Sequence, residues 1–217
     1  MSKTPKYREE PTVSKTPKIG HLPNYKDMHP VWQIGLLDID GRWGYNAINE
    51  QIAFTESEEL LEFIIENNLN NLSSTLDSLK GKNNLTLSSF FSHLSLLRPE
   101  EFPTEVIKHI SRDIRHHFFI SHLYPKLKEF EKLTWEEIEK QTYGKDGKSK
   151  NHPIGKGKII KEAQERLKVL NQDDVDELYS LRLEGKIRIF GIREFNCLKI
   201  LWIDTNHEIC PPQKKHT

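Results

Sequence analysis

The clearest pattern of apolar and polar positions lies near the end of the chain, in LYSLRLEGKIRIFGIREFNCLKILWIDTNHEIC from Leu178 to Cys210. Leu178–Leu183 alternates: Tyr179, Leu181 and Leu183 fall on one face, Ser180 and Arg182 on the other, as in a half-buried strand. Glu184-Gly185 supplies a two-residue turn, and Lys186–Phe195 returns rich in isoleucine and aromatic residues. Asn196 marks the next reversal. Leu198–Asp204 is an almost unbroken apolar run, which predicts a strand covered on both faces. Together these make a three-strand antiparallel meander.

The earlier chain is more varied. Trp32 to Ile39, inside VWQIGLLDIDGRWGY, reads as a strand closed by a turn at Asp40-Gly41. Thr55 and Glu58 have capping-box spacing, and Leu60, Leu61, Ile64 and Ile65 then recur at helical intervals. Residues 66–87, rich in Asn, Ser, Lys and Gly, predict loops. Pro103-Thr104 opens the longest helical pattern, with Ile107, Ile110, Ile114, Phe118, Leu123 and Leu127 on one stripe. Pro125 should kink or end that helix. Thr134 and Glu137 repeat the capping-box spacing ahead of a short helix with Trp135 and Ile138. Gly144–Gly157 reads as a flexible basic loop carrying Lys145, Lys148, Lys150, His152 and Lys156. A helix from Lys158 to Leu170 is expected to bury Ile159, Ile160, Ala163, Leu167 and Leu170.

One strand, a run of helices and a closing meander predict an α+β domain. Its mixed sheet has about four strands, with helices packed on one face. The expected domain spans residues 29–210, with a helical insertion at about 51–130. Residues 1–28 carry Pro5, Pro11, Pro17 and Pro23 and the near-duplicates SKTPKYREE and SKTPKIGHL, which predicts a flexible arm. Residues 211–217 read as an exposed tail.

Composition narrows the function classes only a little. Hydrophobic residues make up 35% of the chain and mean hydropathy is −0.66, so part of it is expected to be exposed helix, loop or tail. The 32 basic and 32 acidic residues cancel, so an electrostatic case has to rest on local clustering. Arg182, Lys186, Arg188, Arg193 and Lys199 form such a cluster on the meander, which points to a phosphate-bearing partner. Two cysteines, Cys197 and Cys210, are too few for a disulfide framework. No run of eighteen apolar residues and no apolar signal core is present, so the expectation is a soluble cytoplasmic protein without membrane partners. There is no P-loop, G-x-G-x-x-G, G-x-S-x-G or H-E-x-x-H motif.

The β-α-α-β-β-β order, ending in the hairpin LRLEGKIRIFGIREFNCLKILWID, resembles the RelE/ParE-type toxins of bacterial toxin–antitoxin systems over residues 156–209. Further pieces (PVWQIGLLDIDGRWGY, LTWEEIE, LWIDTNHEICP) resemble a bacterial family whose likeness implies no chemistry. The toxin resemblance implies a metal-independent, cofactor-free ribonuclease acting on RNA or the ribosome, with a small antitoxin-like protein as partner. ParE-like members share the fold without the nuclease activity, so the resemblance equally admits a non-catalytic interaction module. By position, Arg188 in KIRIFGI would meet the scissile phosphate and His207 in DTNHE would serve as acid. Arg182, Lys186, Arg193 and His152 would hold the RNA backbone. Glu136, Glu137 and His152 are the candidates for a general base.

Such a set would run cleavage by the RNA's own 2′-hydroxyl: a base takes its proton, the oxygen attacks phosphorus, and an acid protonates the leaving 5′-oxygen. A guanidinium fork suits the charge that develops on the phosphate oxygens. Each residue also has a plainer role. A strand arginine can pair with Glu184 or Glu194, and His207 after Asp204 can cap a turn. A third reading comes from Arg112 and His117, whose R-x4-H spacing resembles that of HEPN-type ribonucleases. Helical geometry instead predicts a solvated side for Arg112 and Arg115, opposite Ile110, Ile114 and Phe118. Asp113 and His117 share a helix face but have no third ligand, so no metal site is expected. Trp32, Trp43, Trp135 and Trp202 are expected in the core, Trp43 being the one that exposure beside Arg42 would explain.

Overall fold

The structure, a computed structural model, describes residues 24–48, 53–54, 85–97, 99–100, 102–145 and 147–211. The helix expected after Thr55, most of the loop region 66–87, most of the amino-terminal arm and the end of the tail lie outside these residues. In chain order the elements begin with strand β1 (Val31–Gln33) and the short antiparallel pair β2 (Ala53–Phe54) and β3 (Leu85–Thr86). Helices α1 (Leu87–Leu97), α2 (Thr104–Phe118), α3 (Tyr124–Phe130) and α4 (Trp135–Glu139) follow. A small hairpin of β4 (Thr142–Tyr143) and β5 (Lys148–Ser149) leads to β6 (His152–Gly155) and α5 (Lys161–Val169). The meander is β7 (Glu177–Arg182), β8 (Arg188–Glu194) and β9 (Cys197–Asp204).

The chain is α+β, and its sheet is mixed. Five strands lie in the order β1-β9-β8-β7-β6, with β1 parallel to β9 and the other pairs antiparallel. The additional strand is β6, inside the stretch expected to be a flexible loop. Proline is tolerated there because β6 is an edge strand, and Ile154 supplies the buried anchor. Asn151, almost wholly buried, pins the corner before it. Its amide donates to the carbonyl of Ile138 at 3.0 Å and its carbonyl accepts from the Arg182 N–H at 2.8 Å.

Helices cover both faces of the sheet, because β7, β8 and β9 are apolar on both. On one face Leu178, Phe190 and Trp202 pack with Ala163 and Leu167 of α5, Ile159 and Trp43. On the other, Tyr179, Leu181, Ile189, Leu198 and Ile200 meet Leu127 and Phe130 of α3 and Trp135 and Ile138 of α4. Trp43, Trp135 and Trp202 are core residues, and Trp32 is partly buried against the second cluster. The register shifts between Phe190 and Gly191, which places the backbone of β9 against Gly191. A Cβ there would stand 2.4 Å from the carbonyl oxygen of Lys199, so the position excludes any side chain.

Three expectations change in detail. The first strand ends at Gln33 rather than running to Ile39, although its continuation still touches β9. The Asp38 N–H donates to Leu201 at 2.9 Å, and the Ile203 N–H to Trp43 at 2.9 Å. The last long helix starts at Lys161, after a 3-10 turn at Lys156–Lys158, and the Ile160 N–H instead donates to Ile209 at 2.9 Å. The disturbance expected from Pro125 falls one turn earlier, as a π-helical stretch at Phe119–Leu123 that accommodates the missing N–H. Thr134 and Glu137 do form the capping box.

Candidate functional site

Alternation decides which charges can meet. His152 pairs with Ser180, Arg182 with Arg188, and Arg188 with Asp204, and these residues share the α5 face of the sheet. Beyond the covering helix that face opens into a cleft of ≈ 840 Å³. His152, Ser180, Arg188, His207, Lys148, Lys150, Lys158 and Cys210 line it, with Tyr143 at one side. No carboxylate is among the described lining residues, and six of them are lysine, arginine or histidine.

Arg188 is the deepest of these, only 7% exposed. Its guanidinium donates to the carbonyls of Gly185 at 3.1 Å and Ile187 at 2.9 Å. Among the described residues no carboxylate stands within ion-pair distance of it. Burial, then the nearby charge of Arg182, pulls its pKa down to about 10, with Asp204 drawing it back in part. A buried cation without an ion-pair partner is a costly arrangement, and such costs cluster at sites that bind or react.

His207 sits in the turn after β9 with φ 62, a conformation that costs energy in any residue with a Cβ. Asp204, fully buried, holds that turn by accepting the N–H groups of Asn206 at 3.2 Å, Glu208 at 3.0 Å and Ile209 at 2.9 Å. Burial lifts the Asp204 pKa, and these N–H groups pull it back. Burial and then Arg188 hold the His207 pKa below 6.5, against the pull of Asp204. Burial also lowers that of His152, with Arg188 and Lys158 adding to it. Both imidazoles are therefore mostly neutral at pH 7, the state from which a base acts. Burial raises the Cys210 thiol, which leaves it a poor nucleophile.

The remaining sequence candidates divide. Arg182 is half-buried beside the cleft, its guanidinium 4.9 Å from the centre of the Tyr143 ring. Lys186 is exposed at the tip of the β7–β8 turn and does not line the cleft. Arg193 is on the other face and is no part of the site. It pairs with Glu139, donates to the Tyr25 hydroxyl at 3.2 Å and lies 4.6–5.2 Å from the rings of Tyr25, Tyr179 and Trp135. Arg193→Ala is expected to cost about 2 kcal/mol or more of stability. It should leave RNA affinity unchanged; urea unfolding and a filter-binding titration check the two halves.

Glu136 and Glu137 also belong to that face. Glu136 pairs with Lys140 at 2.8 Å and Glu137 completes the cap of α4, so neither reaches the cleft as a base. Arg112 and His117 are exposed, Arg112 against Asp113 at 3.4 Å and His117 beside Ser121. Arg115 is not solvated as expected. It lies 5.8 Å from the Tyr45 ring centre with its Nε buried, because α2 packs there on the Tyr45 turn. Among the described residues, no group of three histidine, cysteine or acidic side chains is placed to hold a metal ion. None of the described helices is long and apolar enough to cross a membrane.

Sequence reasoning did not name Tyr143, Ser180 or Lys158 as site residues, and it missed the ion pair of Arg166 with the buried Asp38. The lysine-rich stretch before β6 was the available signal for part of the lining. Alternation had already put Ser180 on the face of Arg182. Comparison with protein-family models, curated proteins and solved structures gives no match for this chain, so the reading of the cleft rests on its own residues.

Proposed function

We propose that the cleft binds RNA and cleaves it through the RNA's own 2′-hydroxyl, as the resemblance to RelE-type toxins implies. One observation carries this reading: a buried arginine without an ion-pair partner among the described residues shares a cleft, whose described lining holds no carboxylate, with two histidines whose surroundings favour the neutral form. Cationic lining suits phosphate and offers few of the oxygen donors that a divalent ion would need.

In this mechanism the neutral imidazole of His207, aimed by the Asp204 turn, takes the 2′-hydroxyl proton. The 2′-oxygen attacks phosphorus, the bond to the 5′-oxygen breaks, and a cleft ammonium group supplies the proton that the leaving oxygen takes. Arg188 meets the non-bridging oxygens as their charge grows. His207 thus serves as base, where the resemblance alone made it an acid. His152 is the neighbouring imidazole available for the same proton.

Incubation with messenger RNA, alone and on ribosomes, with ends mapped at nucleotide resolution, tests this. Products carrying 2′,3′-cyclic phosphate are expected, and their formation should survive a chelator. The rate should rise with pH along an acidic limb whose midpoint lies below 6.5, since His207 has to be neutral and its pKa is lowered from that value. His207→Asn keeps a residue tolerant of positive φ and should lower the rate about 100-fold or more. Unchanged cleavage by this variant and by His152→Asn would remove the histidines from the mechanism.

A further inference from the structure

The cleft has a neighbour. A second hollow of ≈ 490 Å³ lies between α3, the β7–β8 turn and the β4–β5 hairpin, and Tyr143 and Lys150 line both. Tyr143 therefore stands on the ridge between them. It is 43% exposed, and Arg182 stacks against its ring at 4.9 Å. In the second hollow Lys126 is engaged by Glu129 at 3.3 Å and Glu184 at 3.8 Å, which leaves Lys150 and Arg182 as the cations facing a strand that crosses the ridge.

An exposed aromatic ring braced by a guanidinium has no evident task in the core. Its ring adds little to folding, since β4 and β5 are two residues each and Tyr143 packs in none of the buried clusters of the described residues. It does have the form of a stacking platform. Single-stranded nucleic acid is held by such rings beside cationic grooves, each stacked base contributing about tenfold or more in affinity. Bases inside a duplex are already stacked and cannot reach it.

We propose that Tyr143 and Arg182 form a base-stacking subsite for single-stranded RNA, seating the nucleotide next to the phosphate held in the main cleft. This rests on the reading of that cleft as an RNA site and adds the form of RNA and the position of a flanking base. Lys150, which lines both hollows, meets the phosphate between the two.

The test uses the full chain with short 2′-O-methyl oligonucleotides, which bind without being cut, carrying 2-aminopurine at successive positions. Quenching of the probe at one position on binding is expected, together with preference for single strand over duplex of the same sequence. Tyr143→Ala should abolish that quenching and weaken binding about tenfold, while Tyr143→Trp retains both. Near-ultraviolet circular dichroism of the two variants confirms that the fold is kept. Full affinity and quenching in Tyr143→Ala would overturn the subsite and leave the cleft reading standing. Failure of the wild type to bind any oligonucleotide would overturn both, and equal affinity for duplex would overturn the single-strand preference.

Discussion

Asp38→Ala should destabilise the protein by about 3–5 kcal/mol. Asp38 is 2% exposed and gathers three parts of the chain. Arg166 of α5 donates to it twice, at 2.8 and 2.6 Å, the Trp202 indole of β9 donates at 3.2 Å, and the Asp40 and Gly41 N–H groups close the local turn. Burial pushes the carboxyl pKa up, but Arg166, the Gly41 N–H and Trp202 outweigh it and hold the group below 3.8. Alanine would leave the guanidinium and the indole N–H without their acceptor. Gly41 belongs to the same arrangement, since a Cβ there would fall 2.0 Å from the Asp38 carboxylate. The midpoint of urea unfolding at constant slope measures the loss, and a change under about 1 kcal/mol would contradict the clamp. Because the folded pKa is depressed, this stabilisation is complete above pH 3.8 and fades only as the pH falls through the lower, folded value.

Arg193 shows what alternation already contained. Arg188 and Arg193 are five positions apart in one strand, an odd number, so they point to opposite faces. Charge grouped them, and the pleat separates them. The apolar runs of β7 to β9 were legible because tertiary packing uses the same period that the sequence displays. Segments governed by distant partners were not. Asp38 interrupts an apolar stretch that otherwise reads as strand, its side chain captures nearby N–H groups, and its ion-pair partner lies 128 residues away. For β6, proline and a run of lysines hid a strand that exists because the β7 edge was there to pair with it. In the site, Arg188 and His207 could be named from position alone. The cleft they share, with no carboxylate among its described lining residues, emerges only when β6, the β4–β5 hairpin and the β9 turn come together.

Arg188→Met should remove cleavage and at the same time raise stability. The two effects have one cause. Arg188 is buried with two backbone carbonyls as its hydrogen-bond acceptors among the described residues, and burial and the repulsion of Arg182 outweigh the pull of Asp204, so the folded state bears the cost of a poorly compensated charge. Methionine has a similar length and no charge, and exchanging buried charged groups for apolar ones can stabilise a fold by about 1–4 kcal/mol. Burial and Arg188 lower the pKa values of His207 and His152, so the variant also relaxes the constraint on both imidazoles. Their pKa values should rise toward 6.5, which histidine resonances followed by NMR would report. In the wild type the depressed values mean that stability falls as the pH drops below 6.5, because the unfolded chain takes the protons first; in the variant that slope should flatten. The rate of RNA cleavage should fall about 100- to 1000-fold, as when a preorganised donor to a growing anion is lost. A structural arginine would give the reverse on the first count, with stability falling by several kcal/mol on substitution. Stability that rises while cleavage disappears is the pattern expected of a residue kept for the phosphate it binds.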